Sequence, residues 1–367
     1  MTTFDDAAPE RPLLSLVVPA YNEALLLMQS LTTLYEYLHS LAPWYRFELI
    51  VVNDGSKDET GSIADAFAAS RPEVRVLHNP VNFRLGEALR RGIASSEGDF
   101  VVTFDSDLSY EPEHIERMVD ALRSEHARIV VASPYAKEGR TTAIPFRREV
   151  MSRAANKLLA VSSEHPVTTV TGMVRAYDGP FVRSLNLKAM GPEINAEILY
   201  KAQILRARVI EIPAHLDWSA QTERMASRRV NLKVSATSKL FLFASFLFRP
   251  LLFFVAPGLV LLAVSMWTLG SVALTVLHGF VDGGGGADHR LTDAFSAAWA
   301  QRPQSFVIGG FAFLAAVQLL SLGMLATQAK RYFEELFHLQ TRSLRTISRL
   351  GDTRPAAIAR PAERIVR

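Results

Sequence analysis

Between Leu13 and Pro213 short apolar runs alternate with amphipathic stretches. The runs Leu13–Val18, Phe47–Val52, Val74–Leu77, Phe100–Phe104, Arg128–Ala132 and Val209–Ile212 are expected as strands. The stretches Glu23–His39, Lys57–Ala69, Leu85–Ser95, Pro112–Ser124, Phe146–Val161 and Glu193–Arg206 repeat apolar residues at helical spacing and are expected as helices. Strand and helix in alternation predict an α/β domain with a mostly parallel sheet covered on both faces. No self-similarity of solenoid length is present.

The pattern changes after Lys239. Leu240–Phe248 is almost wholly apolar, Arg249-Pro250 interrupts it, and Leu251–Leu277 then carries no charge. Ser305–Gln328 is a second uncharged run. Both are long enough to cross a bilayer, the alternative being buried core helices. Arg224, Arg228, Arg229, Lys233, Lys239 and Arg249 precede the first run, and Lys330, Arg331, Arg342, Arg345 and Arg349 follow the second. The segment between them has only Arg290 and Arg302 as cations, with four glycines at Gly283–Gly286. The positive-inside rule then puts both ends in the cytosol and the glycine-rich loop outside, in the inner membrane of a cell envelope. The expected organisation is a flexible start (1–12), a cytosolic catalytic domain (13–239), and an interfacial segment plus transmembrane hairpin (240–328) with spans near 251–277 and 305–328. An amphipathic interfacial helix (329–350) and a flexible tail (351–367) complete it.

Composition narrows the chemistry. The chain of 367 residues has no cysteine, which excludes disulfides, zinc-thiolate sites and thiol nucleophiles. A formal charge of +3 makes no general case for nucleic acid as a partner. The N-terminus, MTTFDDAAPERP, is acidic and lacks an apolar core of signal-peptide length, so the chain is expected to begin in the cytosol.

Polar residues collect just past the strand ends. LSLVVPAYNEA closes the first strand with Pro19, Tyr21 and Glu23, and FELIVVNDGSKDET closes the second with Asp54, Gly55 and Ser56. FVVTFDSDLSYEP closes the fourth with Asp105 and Asp107. Open α/β sheets bind ligands outside the carboxyl ends of their strands. A carboxylate such as Asp54 can accept an N–H from a uracil or guanine base, and Gly55 permits close backbone approach. Asp105 and Asp107 repel each other unless a cation or a donor lies between them. They can therefore hold a hard divalent cation against a diphosphate; the plainer alternative is a loop capping the helix that follows Pro112. Arg148 and Ser152 share one helix face and suit a phosphate, although a solvated basic face has the same pattern.

With VVPAYNE, VVNDGSKDET, GDFVVTFDSDLS, FRREVMSRAANKL and VIEIP in this order, the chain resembles the family 2 glycosyltransferases of GT-A fold. Within them it is similar to the dolichol- and polyprenyl-phosphate sugar synthases. The resemblance covers about Leu13 to Pro213. It implies an inverting transfer of a hexosyl group from a UDP- or GDP-sugar to polyprenyl phosphate at the membrane. It further implies that Pro19, Tyr21, Glu23, Asp54, Gly55, Arg84, Asp105 and Ser106 surround the nucleotide sugar, and that Asp105 and Asp107 bind Mg²⁺ or Mn²⁺. Arg148 and Ser152, with Arg147 and Arg153 nearby, would hold the lipid phosphate. Asp107, Arg148 and Arg224 would carry the chemistry, Arg224 at the leaving diphosphate.

The chain departs from the family pattern in five places. Asn53 stands where the family has an acid, Ser109 where it has glutamine, and Pro134 where it has arginine. An acid is replaced around Thr168, and QTERMAS stands in place of the late arginine-glycine-serine signature. The same QTERM echoes the processive polysaccharide synthases, which leaves that reading and a non-catalytic nucleotide-sugar-binding scaffold as rivals. The pattern leaves room for a homo-oligomer.

Overall fold

The computed structural model describes residues 11–144, 149, 167–219, 250–282 and 287–351. Two compact units arise, Met1–Ala244 with Glu335–Arg367, and Ser245–Glu334.

In the first unit, the chain order begins β1 (Leu13–Ala20), α1 (Leu27–Ser40), β2 (Arg46–Asn53), α2 (Thr60–Ala68), β3 (Val74–His78) and α3 (Leu85–Ser95). It continues β4 (Phe100–Thr103), α4 (Glu113–Ser124), β5 (Ile129–Ser133), β6 (Arg140–Thr142), β7 (Arg175–Asp178) and α5 (Gly179–Arg183). The last elements of the sheet domain are α6 (Ile194–Ile204), β8 (Val209–Pro213) and β9 (His215–Asp217). Seven strands form one sheet in the order β3-β2-β1-β4-β7-β5-β8, and β6 pairs with β9 in a small second sheet. The parallel pairs β1–β2, β1–β4, β2–β3 and β5–β8 follow the alternating pattern of the sequence.

One strand departs from that pattern. β7 lies antiparallel between β4 and β5. Its sequence, Arg-Ala-Tyr-Asp, alternates an arginine and a tyrosine against alanine and aspartate, so it carries no apolar run to announce a central strand. The arginine is nevertheless fully buried.

The core lies between the sheet and its helices. Leu14, Leu16 and Val18 of β1 pack with Leu27, Leu31, Leu34 and Leu38 of α1, all sealed from solvent. The α1 residues recur every three or four positions, which places them on one stripe. α1 starts four residues later than its apolar pattern predicts, because the residues ahead of it are tied to the next strand-end loop, as described below.

In the second unit, α7 (Pro250–Asp282) and α8 (Ala287–Gln301) precede α9 (Pro303–Gly351), which continues into the first unit and runs through residues 329–350 without interruption. α8 occupies residues expected as loop; its Ala294 and Ala298 are buried, and Gly279 of α7 leaves room for Ala294. α7 and α9 run antiparallel: Gly258 faces Leu320, while the Ser265 hydroxyl donates to the Gly309 carbonyl at 3.0 Å. Phe253–Val281 and Pro303–Phe337 are long and apolar enough to cross a membrane. Only 11% and 22% of their apolar windows are buried, which is not the burial of core helices in a soluble fold.

Candidate active site

Three strand-end loops are stitched together at the carboxyl edge of the sheet. Asp54 donates its main-chain N–H to the Ala20 carbonyl at 2.9 Å, extending the β1–β2 ladder by one bond. Beyond it, Asn22 adopts a left-handed φ of 55°. The Asn22 N–H donates to Ser56 Oγ at 3.0 Å, and its side-chain oxygen accepts from the Lys57 N–H at 2.9 Å. The Glu23 N–H donates to Thr60 Oγ1 at 2.8 Å, and the Ala24 N–H to Asp58 at 3.3 Å. These bonds tie residues 22–24 to the turn after β2 and defer α1 to Leu27. They also place Glu23 and half-exposed Tyr21 beside the turn that carries Asp54. Pro19 lies inside β1, paired with Val52.

The next loop, residues 79–84, closes over this turn. Asp54 is buried, and its Oδ1 accepts from the Asn79 side chain at 2.8 Å and from the Phe83 N–H at 3.0 Å. No hydrogen bond reaches Oδ2 among the described residues. Gly55 has φ +64°, and a Cβ there would lie 2.2 Å from the Val81 carbonyl carbon. The chain's own loop therefore sets the requirement for glycine. Arg84 ends the loop at φ 78°, ψ 169° as the N-cap of α3, in a region nearly restricted to glycine.

Asn53, which replaces the family acid, has its own role. Its side-chain oxygen accepts from the Ser56 N–H at 3.1 Å, and its amide nitrogen lies 3.0 Å from His78 Nδ1. His78 Nε2 lies 2.9 Å from Asp65, so Nε2 carries the proton and Nδ1 accepts from Asn53. An aspartate could not supply that donor.

β4 delivers the paired carboxylates. The Phe104 N–H donates to the Val17 carbonyl at 3.0 Å, which keeps the chain beside β1 up to Asp105. Asp107 Oδ1 accepts from the Ser109 N–H at 3.0 Å, with Leu108 left-handed at φ 52° between them. The loop is backed by the Tyr110–Leu216 bridge and by the Asp217 N–H donating to the Ser109 carbonyl at 2.9 Å. Burial and the charge of Asp107 push the Asp105 carboxyl up to about 7, against a hydrogen bond from Ser109. A pair of oxygen ligands in this state, held on a short ordered turn with Ser106 between them, suits a hard divalent cation. Among the described residues no cluster of three or more histidine, aspartate or glutamate ligands exists, so the remaining ligands of such a cation would come from substrate and water.

Strand order brings the two acidic positions to one place. β1 separates β2 from β4, so Asp54 and Asp105 sit two strand spacings apart, about 10 Å in the hydrogen-bonding direction. The boundary between β1 and β4 is where the strand order reverses, the crevice in which doubly wound sheets bind ligands. Arg147, Arg148, Ser152, Arg153 and Arg224 lie outside the described residues.

Beneath the carboxylate loop are groups the sequence does not single out. Arg175 is fully buried and donates to the carbonyls of Val170 at 2.6 Å, Gly172 at 2.8 Å and Asn195 at 2.9 Å. Buried Tyr110 lies in the fields of Asp105 and Arg175; burial, then the Asp105 charge, push its phenol up. Glu211 of β8, part of the quoted VIEIP, accepts from the Thr168 N–H, the Thr168 hydroxyl and the Thr169 N–H, each at 2.8 Å. Ser133 Oγ bonds the hydroxyls of both threonines, at 2.7 Å and 2.6 Å. The segment where the family has an acid is thus ordered here by an acid from another strand.

Residues 15–183 match the model of Glycosyl transferase family 2. The undecaprenyl-phosphate mannosyltransferase of Micrococcus luteus is 30% identical over 203 residues, covering 54% of this chain and 80% of that protein. The chain belongs to glycosyl transferase family 2. Its sheet domain is of the GT-A-like α/β kind, and it is related to the polyprenyl-phosphate sugar transferases at about 30% identity. The glycosyltransferase AglD of Haloferax volcanii is 32% identical over 206 residues, covering 56% of this chain but only 32% of AglD. Among solved structures, the glucosyl-3-phosphoglycerate synthase of Mycobacterium tuberculosis in complex with Mn²⁺, UDP-glucose and phosphoglyceric acid is similar, with a TM-score of 0.44 and 24% identity. It covers 56% of this chain and 70% of that one.

Proposed function

We propose that this family 2 enzyme is membrane-anchored and inverting, and moves a hexosyl group from a UDP- or GDP-hexose to a polyprenyl phosphate. The observation that carries the donor half is the pairing of Asp54 with Asp105 and Asp107 across the end of β1. One end of that crevice offers a buried acceptor to a base, and the other offers two carboxylates to a diphosphate. The acceptor half is supported by the similarity to the Micrococcus protein and by the two apolar helices. A polyprenyl phosphate cannot leave the bilayer, so its transferase must work at headgroup level.

The division of labour follows from charge. A phosphate monoester is already an anion near neutral pH, so its attack on the anomeric carbon needs no general base. Asp105 and Asp107 would hold Mg²⁺ or Mn²⁺, which neutralises the departing nucleoside diphosphate. Asp54 orients the base through Oδ2, and Glu23, Tyr21, Arg84 and Ser106 line the same edge. Arg148 and Ser152, flanked by Arg147 and Arg153, hold the lipid phosphate, and Arg224 meets the leaving group. In-line displacement inverts the anomeric centre. Residues 13–239 form the catalytic part on the cytosolic side, and α7 and α9 are the spans, with the glycine-rich segment on the far side.

The test is release of nucleoside diphosphate from a panel of UDP- and GDP-hexoses by the detergent-solubilised full chain with Mn²⁺ or Mg²⁺. One donor should be turned over, and polyprenyl phosphate should raise its turnover by at least about tenfold. Lipid-independent release with polymer formation would instead favour a processive synthase. Metal-dependent binding with no turnover of any donor would favour a scaffold.

A further inference from the structure

Beside α3 lies a cavity of about 370 Å³. Its second wall is the end of α5 and the segment up to Lys188. The walls meet at Gly86, whose N–H donates to the Met190 carbonyl at 2.8 Å; a Cβ there would fall 2.4 Å from the Ala189 carbonyl oxygen. Four cations line the cavity, Arg90, Arg91, Arg183 and Lys188, against one acid, Glu87, an excess of three positive charges.

Among the described residues, one of the four is in an ion pair. Glu87 forms an ion pair with Arg90. Arg91 donates to the His78 carbonyl and, at 2.6 Å, to Asn79 Oδ1. Arg183 donates to Ser96 Oγ at 3.2 Å and to the Gly98 carbonyl at 3.1 Å. These neutral acceptors fix both guanidinium groups without cancelling their charge. The Lys188 N–H donates to the Glu197 carboxylate at 3.0 Å, while its exposed side chain forms no hydrogen bond or ion pair among the described residues. Three uncompensated cations around one concavity repel each other, and two of them are already held in position. An anion with several oxygens relieves that repulsion without ordering the arginines first.

We propose that this cavity is a second anion site, binding a phosphate-bearing group among Arg91, Arg183 and Lys188. Its volume is at the small end of ligand pockets and suits a diphosphate, a sugar phosphate or a lipid headgroup rather than a nucleotide sugar. None of Asp54, Asp105 or Asp107 lines it. Arg91 also braces Asn79 and through it Asp54, so Lys188 is the informative position to change.

Inorganic pyrophosphate is titrated calorimetrically into the detergent-solubilised full chain at low salt with EDTA, which removes any divalent cation from Asp105 and Asp107. One saturable site is expected, weakened about tenfold or more in Lys188→Glu, as the loss of a charge-assisted contact requires, and unchanged in Asp54→Asn. Displacement by dihexanoyl phosphatidic acid assigns the site to a lipid headgroup, and resistance to it assigns the site to a free phosphate compound; either supports the phosphate chemistry. Absence of saturable binding, equal affinity in Lys188→Glu, or loss of binding in Asp54→Asn would overturn the proposal.

Discussion

Asp54 accepts a hydrogen bond from the Asn79 side chain at 2.8 Å, and both residues are buried. Because the Phe83 N–H uses the same oxygen, one carboxylate oxygen orders the 79–84 loop, and the proposed function assigns the other to the base. The two roles separate by substitution. In Asp54→Asn the amide oxygen keeps both loop contacts, while the amide nitrogen turns the ligand-facing acceptor into a donor. Nucleotide affinity, measured calorimetrically, should fall about tenfold or more with little change in melting temperature. Asp54→Ala should lose both affinity and stability. Unchanged nucleotide affinity in Asp54→Asn would remove this residue from the base site.

Gly55→Ala should cost more than its single methyl suggests. The new Cβ meets main-chain atoms of Val81 and Asn82, at 2.2 Å and 2.5 Å, and a left-handed φ adds strain. A loss of about 2 kcal/mol or more in denaturant unfolding is expected, with nucleotide binding impaired through the displaced loop. Wild-type stability would mean that the loop does not close on the turn.

Asn53→Asp restores the family acid and should destabilise. The carboxylate cannot donate to His78 Nδ1, leaving two acceptors face to face at 3.0 Å in the native spacing. A deficit of about 1 kcal/mol is expected in paired denaturant unfolding curves. Equal stability of the two proteins would contradict the assigned tautomer.

His114 gives the wild-type fold an acid limit. It is buried, with Nδ1 2.9 Å from the Glu111 carbonyl and Nε2 accepting from the His215 N–H at 3.2 Å, which fits the neutral ring. Burial lowers its pKa; the Glu111 carbonyl opposes this, Arg117 adds to it, and the charges of Glu111 and Glu113 oppose it. The unfolded chain therefore binds more protons than the native one as pH drops below the ordinary value of about 6.5, so stability falls there and is level above. His114→Gln should start less stable by about 1–2 kcal/mol but lose less on acidification. An equal slope in both proteins would show that this ring does not titrate on unfolding.

The parallel strands and the loops after β1, β2 and β4 were legible because apolar runs and strand-end acids are local signals. α3 could be read to the residue, Leu85 to Ser95, since its apolar face faithfully follows the helical period. β7 was not legible, because a buried arginine satisfied by three carbonyls looks like a surface residue in one dimension. Neither was α8, whose buried side consists of alanines against Gly279 rather than large apolar residues. The hold of Asn79 on Asp54 and of Glu211 on Thr168 joins positions distant in sequence, and nothing in either segment alone announces it.

Transfer to a lipid phosphate directed by the paired carboxylates is read out by mass spectrometry of the lipid fraction after incubating the full chain with polyprenyl phosphate, the preferred nucleotide hexose and Mn²⁺, in wild type and Asp107→Asn. Wild type should yield polyprenyl phosphate heavier by one hexosyl unit. Asp107→Asn, folded and in the membrane, should yield at least about a hundredfold less, since an amide supplies none of the charge a hard cation needs. Comparable product from both proteins, or none from wild type with any donor, would contradict the account.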